Sequence, residues 1–407
     1  MRQLLSTRQP PARRIRKWHW TTPLVLLVGT LWVGSVATPT MADSGPASLD
    51  LIAQSPWIDN EGDLAIQLRI TGDAHNTVLR LGLHPAVDRR GLLALKDNPI
   101  LKMPENTLSI DVDDVINSAG VASLTLPVSP DGILRSRPGE VSPLTVELLA
   151  VDGRSLDRLT TPVVHLPLIP TGEAASHRPL LVTILLNIDG PPPLHPDGRI
   201  EPDEATVRYL GAVVDAVLDH PRVPVDISLP PATVAGLARS DDLIHARLLA
   251  NLKAAVQTGG LHLHSSPFVT ADPEAWRQAG RPDVHRDLMD HGDQVLSELL
   301  GMAPDRTVAV LGSTAVPATL DLLSRLGTTG HVVSAERLDP RPVTASYGST
   351  YPARLLDSSG VAHSALVADQ DLARHLVDPR GSVSATQQLV ADLALLAWSD
   401  PSVTRTA

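Results

Sequence analysis

The chain has 407 residues, enough for two or three domains at the usual ~100–200 residues each. A net charge of −11, from 45 acidic and 34 basic residues, argues against non-specific nucleic-acid binding. The absence of cysteine excludes disulfides, thiol catalysis and cysteine-ligated zinc, and an aromatic content of 2% leaves few platforms on which a sugar could stack.

The first predicted element is an export leader over residues 1–42. Arg2, Arg8, Arg13, Arg14, Arg16 and Lys17 form a positive region that runs into the apolar stretch 21–37. Ser35-Val36-Ala37 and Thr40-Met41-Ala42 both offer the small residues a signal peptidase needs. The apolar run is shorter than the ~20 residues of a comfortable membrane span, so a cleaved signal peptide and a retained signal anchor are the two readings. Either way the rest of the chain is placed outside the cytoplasmic membrane, secreted or held at its outer face.

Residues 44–170 read as a β domain. Leu64-Ala65-Ile66-Gln67-Leu68-Arg69-Ile70, Val78 to Leu83 and Leu144 to Leu148 alternate with period two, and turn signals such as Asn60-Glu61-Gly62 and Asp152-Gly153 separate the runs. The expectation is an immunoglobulin-like β-sandwich, with loops over 85–105 and 127–142.

From residue 178 to 407 the pattern changes to apolar strands alternating with amphipathic helices. Strands are predicted at 180–188, 223–229, 260–264, 307–311, 331–334, 352–356 and 362–367. Helices are predicted at 204–218, 241–257, 272–279, 285–300, 315–326, 369–377 and 385–398. This order predicts parallel strands covered by helices, and its number of units predicts a TIM-type barrel of the glycoside hydrolase/deacetylase kind, incomplete where the chain stops at Ala407. The fold class expected is thus multidomain, β plus α/β.

In such a barrel, reactive side chains stand at the carboxyl ends of the strands. Those positions hold Asn187, Asp189, Asp226, Ser228, His262, His264, Ser265, Ser313, Glu336 and Asp369. The sharpest pairing is Asp189, in Ile188-Asp189-Gly190-Pro191, with His262 and His264, in His262-Leu263-His264-Ser265. Two imidazoles two residues apart on a strand share one face. With a carboxylate they could hold zinc or another divalent metal and activate water for deacetylation, or do acid–base work without a metal. The bland reading is a turn at Asp189-Gly190-Pro191 and two ordinary strand histidines. On it no metal site and no cofactor are expected, and Asp189, His262 and His264 remain the catalytic candidates. Asp226, Ser228, Glu336 and Asp369 are candidate binding residues. No Gly-x-Ser-x-Gly elbow and no Gly-rich phosphate loop occur. The charged run His285, Asp287, Asp290, His291 and Asp293 has the spacing of an exposed helix face.

Val223 to Pro230, Leu248 to Leu252, Ser266-Pro267-Phe268 through Asp272, Trp276 to Gly280, Ser364 to Gln370 and Thr386 to Pro401 resemble an uncharacterised family of actinobacterial envelope proteins. The resemblance covers roughly residues 50–400. It implies a leader, a β-sandwich and a barrel related to the glycoside hydrolase/deacetylase superfamily. It also implies a C-terminal membrane anchor, which this sequence lacks, and genes near the flippase of lipid-linked peptidoglycan precursors. No catalytic residues are established for that family, so none carry over.

The function expected is an exported envelope protein that binds a cell-wall glycan or an envelope membrane protein through a barrel that has lost its catalysis. The alternative is a metal-dependent carbohydrate deacetylase or glycoside hydrolase. A third reading is a structural adaptor working through the β domain.

Overall fold

The computed structural model describes residues 47–59, 62–95, 101–104, 106–167, 180–334, 352–376, 382–399 and 405–406. The leader expected at 1–42, and Glu336, lie outside them.

The β-rich part begins with β1 (Ser48–Gln54), β2 (Asp63–Thr71) and β3 (Val78–Leu83), followed by the short helix α1 (Arg89–Ala94). Then come β4 (Thr107–Asp111), the single-turn helix α2 (Val112–Val115), β5 (Val121–Pro127), β6 (Glu140–Leu149) and β7 (Ser155–His165). The period-two pattern of β2 buries Leu64, Ile66, Leu68 and Ile70 and exposes the residues between them. β1, β2 and β5 form one antiparallel sheet, and β4, β3, β6 and β7 another. Leu79, Leu81, Leu144, Val146 and Leu148 meet the buried side of β2 and β5 in one apolar cluster. Each such fully buried side chain contributes roughly 1.5–3 kcal/mol.

The second part continues with β8 (Leu180–Leu181), β9 (Leu185–Asn187), α3 (Glu204–Asp219), β10 (Val225–Ser228), α4 (Pro231–Arg239) and α5 (Leu243–Gln257). Next are β11 (Leu261–His264), α6 (Pro273–Gln278), α7 (Pro282–Leu300), β12 (Val308–Val310), α8 (Pro317–Arg325) and β13 (Gly330–Ser334). The described chain ends with β14 (Ala353–Leu356), β15 (Ala362–Ala368), α9 (Gln370–Leu376), α10 (Ser382–Ser399) and β16 (Arg405–Thr406). Asp203 caps α3 by accepting from the Thr206 amide at 2.9 Å, and Asp242 caps α5 through Ile244 at 2.7 Å. Gly301 stops α7 in the left-handed region, at φ 78°, where a residue with a Cβ is strained.

β9, β10 and β11 form a parallel sheet in the order β11-β10-β9. Val225, Ile227, Leu261 and Leu263 point to one side and pack with α3, α4, α5 and α7 through Leu210, Val234, Leu252 and Leu296. A second sheet has the order β12-β13-β15-β14, and β16 pairs with β8.

The expected fold class is corrected here. The protein is a mixed α/β molecule of several small sheets, not an immunoglobulin-like sandwich followed by a TIM-type barrel. Its parallel strands are only two to seven residues long and fall into separate ladders. A lone bridge, His264 to Asp305, is the ladder contact between β11 and the segment leading to β12. β14 runs antiparallel to β15, where a barrel requires parallel strands throughout. In the β-rich part, α10 from the far end of the chain packs on β7, β1 and β6. Its Ala391 meets Leu92, Leu95, Val141 and Val164. That second contact is why β6 is buried on both sides from Val141 to Val146. The predicted loops at 85–105 also contain α1, and α4 went unread between two stronger signals. Among the described residues no helix is long and apolar enough to cross a membrane.

Candidate functional site

Because β9, β10 and β11 are parallel and in register, residues at equal depth form rows across the sheet. Asn187, Ser228 and His264 form the outer row, and Leu185, Asp226 and His262 the row behind it. These residues alternate with the apolar ones that face the helices, so they share the opposite face. Parallel sheets are usually apolar on both faces. Here one face carries an amide, a hydroxyl, a carboxylate and two imidazoles.

Asp226 is the hub of this face. Its Oδ1 lies 3.0 Å from His264 Nε2 and 3.7 Å from His262 Nδ1. An ionised carboxylate only accepts, so His264 donates from Nε2. Its Nδ1 is buried and has no partner. The three side chains differ in access: His262 is 57% exposed, Asp226 24% and His264 11%. His262 is therefore the imidazole a ligand can reach, with a carboxylate behind it. This arrangement can accept and donate hydrogen bonds to hydroxyls and can do acid–base work.

The neighbouring segment closes the site on one side. The Asp305 amide donates to the Leu263 carbonyl, and Ser265 N–H donates to the Asp305 carbonyl, both at 2.8 Å. Burial opposes the charge on the Asp305 carboxyl, but donation from Thr307 and the proximity of His264 outweigh it and hold the carboxyl below its usual range. The Ser265 hydroxyl donates to Asp293. Arg306 binds Asp293 as well and reaches Asp290 at 2.8 Å.

The predicted residues meet different fates. Asp189 stands exposed two residues beyond Asn187 and makes no hydrogen bond or ion pair with His262 or His264. Asp226 occupies the position between the two imidazoles that the sequence reading gave to Asp189. Ser228 lies half-buried in the outer row. Asp369 is 4% exposed and receives a 2.7 Å bond from Arg89. Arg89 also binds Asp392, to which His375 Nε2 lies at 3.2 Å. Asp369 therefore belongs to a buried ion network linking α1 to α9 and α10. Among the described residues, no group of three or more His, Asp or Glu side chains is arranged to hold a metal ion.

Sequence reasoning missed Asp305, whose approach to His264 is a contact across about 40 residues of chain. It also read His285 as part of an exposed charged face, whereas His285 is 2% exposed and burial pushes its pKa down. The link between Asp226 and the histidines had a usable signal. Asp226 and His262 stand at matching depth in consecutive predicted strands, which parallel register brings side by side, and His264 lies one row further along the same face.

No family model matches this chain. No curated protein matches it either. Among solved structures it is similar to a 4-α-glucanotransferase from Thermococcus litoralis, with a TM-score of 0.41 and 14% identity over 56% of this chain and 33% of that one. It is also similar to the α-amylase AmyC from Thermotoga maritima, with a TM-score of 0.33 and 14% identity over 49% of this chain and 48% of that one. A conjugative transposon lipoprotein from Bacteroides eggerthii aligns over 29% of this chain and 96% of its own, with a TM-score of 0.17 and 12% identity. The chain spans less than half the length of the first two. Likenesses this slight transfer no activity.

Proposed function

We propose that this chain is an exported envelope protein that binds a cell-wall glycan on the polar face of β9, β10 and β11. The observation that carries the reading is the Asn187-Ser228-His264 row, backed by Asp226 and the accessible His262. Ligands of open parallel sheets dock outside the carboxyl ends of the strands, and these rows sit at that end. Neutral and charged hydrogen-bonding groups at mixed depth suit a polyhydroxylated ligand better than an apolar one. The charge pattern of the leader and the resemblance to envelope proteins support export. Titration of the purified chain with soluble peptidoglycan fragments tests the reading. Saturable binding that is lost in a His262→Ala, Ser228→Val double variant is expected; equal binding by the double variant sinks it.

A second reading is a carbohydrate deacetylase or glycoside hydrolase, and the placement of Asp226 behind His262 favours it. In that case His262 takes a proton from water or a sugar hydroxyl, and Asp226 steadies the imidazolium that forms. A metal, where one is used, would draw on the same residues. Release of acetate or of reducing sugar from a cell-wall preparation, abolished by His262→Gln, separates catalysis from binding alone.

A further inference from the structure

One pair of buried histidines belongs neither to the glycan face nor to the network around Arg89. His331 on β13 and His363 on β15 lie on the buried side of the β12-β13-β15-β14 sheet, with Val333, Ala365 and Val367. α8 covers that side, where its Leu320 lines one hollow with Val333 and Leu355. The two rings meet at 5.5 Å, and His363 Nε2 lies 3.2 Å from Asp357 in the turn between β14 and β15. Several buried histidines lack a partner at Nδ1; His331, among the described residues, is the one that lacks a partner at both ring nitrogens. A neutral imidazole carries one donor and one acceptor. Both are withdrawn from water here without return, a cost that a leucine in this position would not incur.

The surroundings give a proton on His331 no countercharge while the sheet is closed. Asp357 is engaged by His363, Ser359 and the Val361 amide. On α8, Asp321 accepts from Ser358, and Arg325 donates to the Asp321 carbonyl. β12 carries no charged residue, Arg354 on β14 is exposed, and Arg306, ahead of β12, is held by Asp290 and Asp293. Burial first and His363 second bring the pKa of His331 from 6.5 down to about 4. A lowered histidine pKa favours the open form as the pH falls below 6.5, because only the open form takes up the proton readily.

The second observation is how lightly this sheet is held. Its buried apolar cluster is Val333, Ala365 and Val367, separate from the two large clusters of the molecule. A lone bridge, His264 to Asp305, is the ladder contact on its β11 side. Regions with few buried apolar contacts open locally at a lower free energy than the whole chain.

We propose that the β12-β13-β15-β14 sheet is an acid-operated switch, in which protonation of His331 opens this sheet locally and uncovers the apolar side of β13 and β15 while the β1-β2-β5 and β9–β11 sheets stay folded.

Hydrogen exchange of the full chain, followed by mass spectrometry, tests it. Protection factors are compared, so that the intrinsic pH dependence of exchange cancels. From pH 7 to about pH 4.5, protection in β13 and β15 should fall about tenfold or more, while β2 and β10 hold theirs. His331→Leu should abolish the fall. His331→Gln keeps a polar side chain that does not titrate. It should lower protection in β13 and β15 equally at both pH values, and it serves if the leucine variant fails to fold. A fall shared by all the sheets, no fall at all, or a fall that persists in a folded His331 variant overturns the proposal. Persistence would assign the acid response to His363 and Asp357 instead.

Discussion

Two clusters in this molecule use the same chemical groups and are held in opposite states. At the junction of α1, α9 and α10, Arg89 joins Asp369 and Asp392, and His375 lies against Asp392. On the β9–β11 face, Asp226 joins His262 and His264. In the first cluster Asp392 is fully buried and Asp369 nearly so, and a guanidinium supplies the countercharge. Burial works against the charge on Arg89, but the two carboxylates prevail and raise its pKa above the ordinary range. In the second cluster no arginine arrives and His262 is mostly in solvent, whereas a buried, unpartnered Nδ1 is common to His264 and His375. The first cluster has spent its capacity on holding two distant parts of the chain together. The second retains capacity that a ligand can use. Type and spacing of residues did not distinguish them; countercharge and access did.

Removing charge from the closed cluster should have the largest effect. Asp392→Ala leaves Arg89 with one carboxylate and should cost about 3 kcal/mol, toward the lower end for broken buried pairs because Arg89 keeps some solvent contact. Urea unfolding of the full chain measures it, and a loss under about 1 kcal/mol would show that the network is not a structural tie.

A histidine on a third site provides a pH counterpart. His331, on β13, is 2% exposed and neither ring nitrogen has a partner. Its ring meets that of His363 at 5.5 Å, and His363 is paired with Asp357 at 3.2 Å. Burial first, and His363 second, lower the pKa of His331 from 6.5 to about 4. The unfolded chain therefore takes up a proton before the folded one does as the pH falls. Stability from this residue is fully present above pH 6.5 and is lost on descent toward about pH 4. His331→Leu should flatten that part of the acid limb in urea midpoints measured from pH 7 to 4.5. An unchanged limb would assign acid sensitivity elsewhere.

Gly190, beside Asp189, gives a smaller and more local perturbation. A Cβ there would lie 2.6 Å from Thr206 Oγ1, which itself donates to Asp203 at 3.1 Å. Gly190→Ala should cost about 1–2 kcal/mol through overpacking and should displace the Asp189 turn. It should thus weaken glycan binding without removing a polar group; unaltered binding would detach Asp189 from the site. The smallest stability change is expected at the centre of the open cluster. His262→Ala should leave the urea midpoint where it was and abolish ligand binding, the converse of Asp392→Ala. A large loss of stability would mean that His262, like His375, serves the fold.

Local patterns were legible wherever local physics decides. The alternation of β2 names its buried residues, Leu64, Ile66, Leu68 and Ile70, because period two and burial on one face are the same statement. Asp203 and Asp242 mark the starts of α3 and α5 because an unpaired helix amide needs an acceptor within a few residues. The strand order β9, β10, β11 follows from apolar strands separated by helices. The histidine pair on β11 was readable for the same reason. The carboxylate assigned to it was not: Asp189 has the better local context, but Asp226 has the register.

Sequence alone determined the alternation of elements, the location of polar residues at strand ends and the overall acidic charge, since each depends on neighbours in the chain. Only the tertiary structure decided that α10 returns to cover β6 and β7 and that the parallel strands divide into separate small sheets. It also decided that Asp369 is consumed by Arg89 while Asp226 is left open beside His262. Arg89 and Asp392 are about 300 residues apart, and no local pattern encodes which of two similar carboxylates a distant guanidinium will reach. The reason is physical: a charge in a folded protein is satisfied by whatever packing brings near it, and packing joins residues without regard to their distance along the chain.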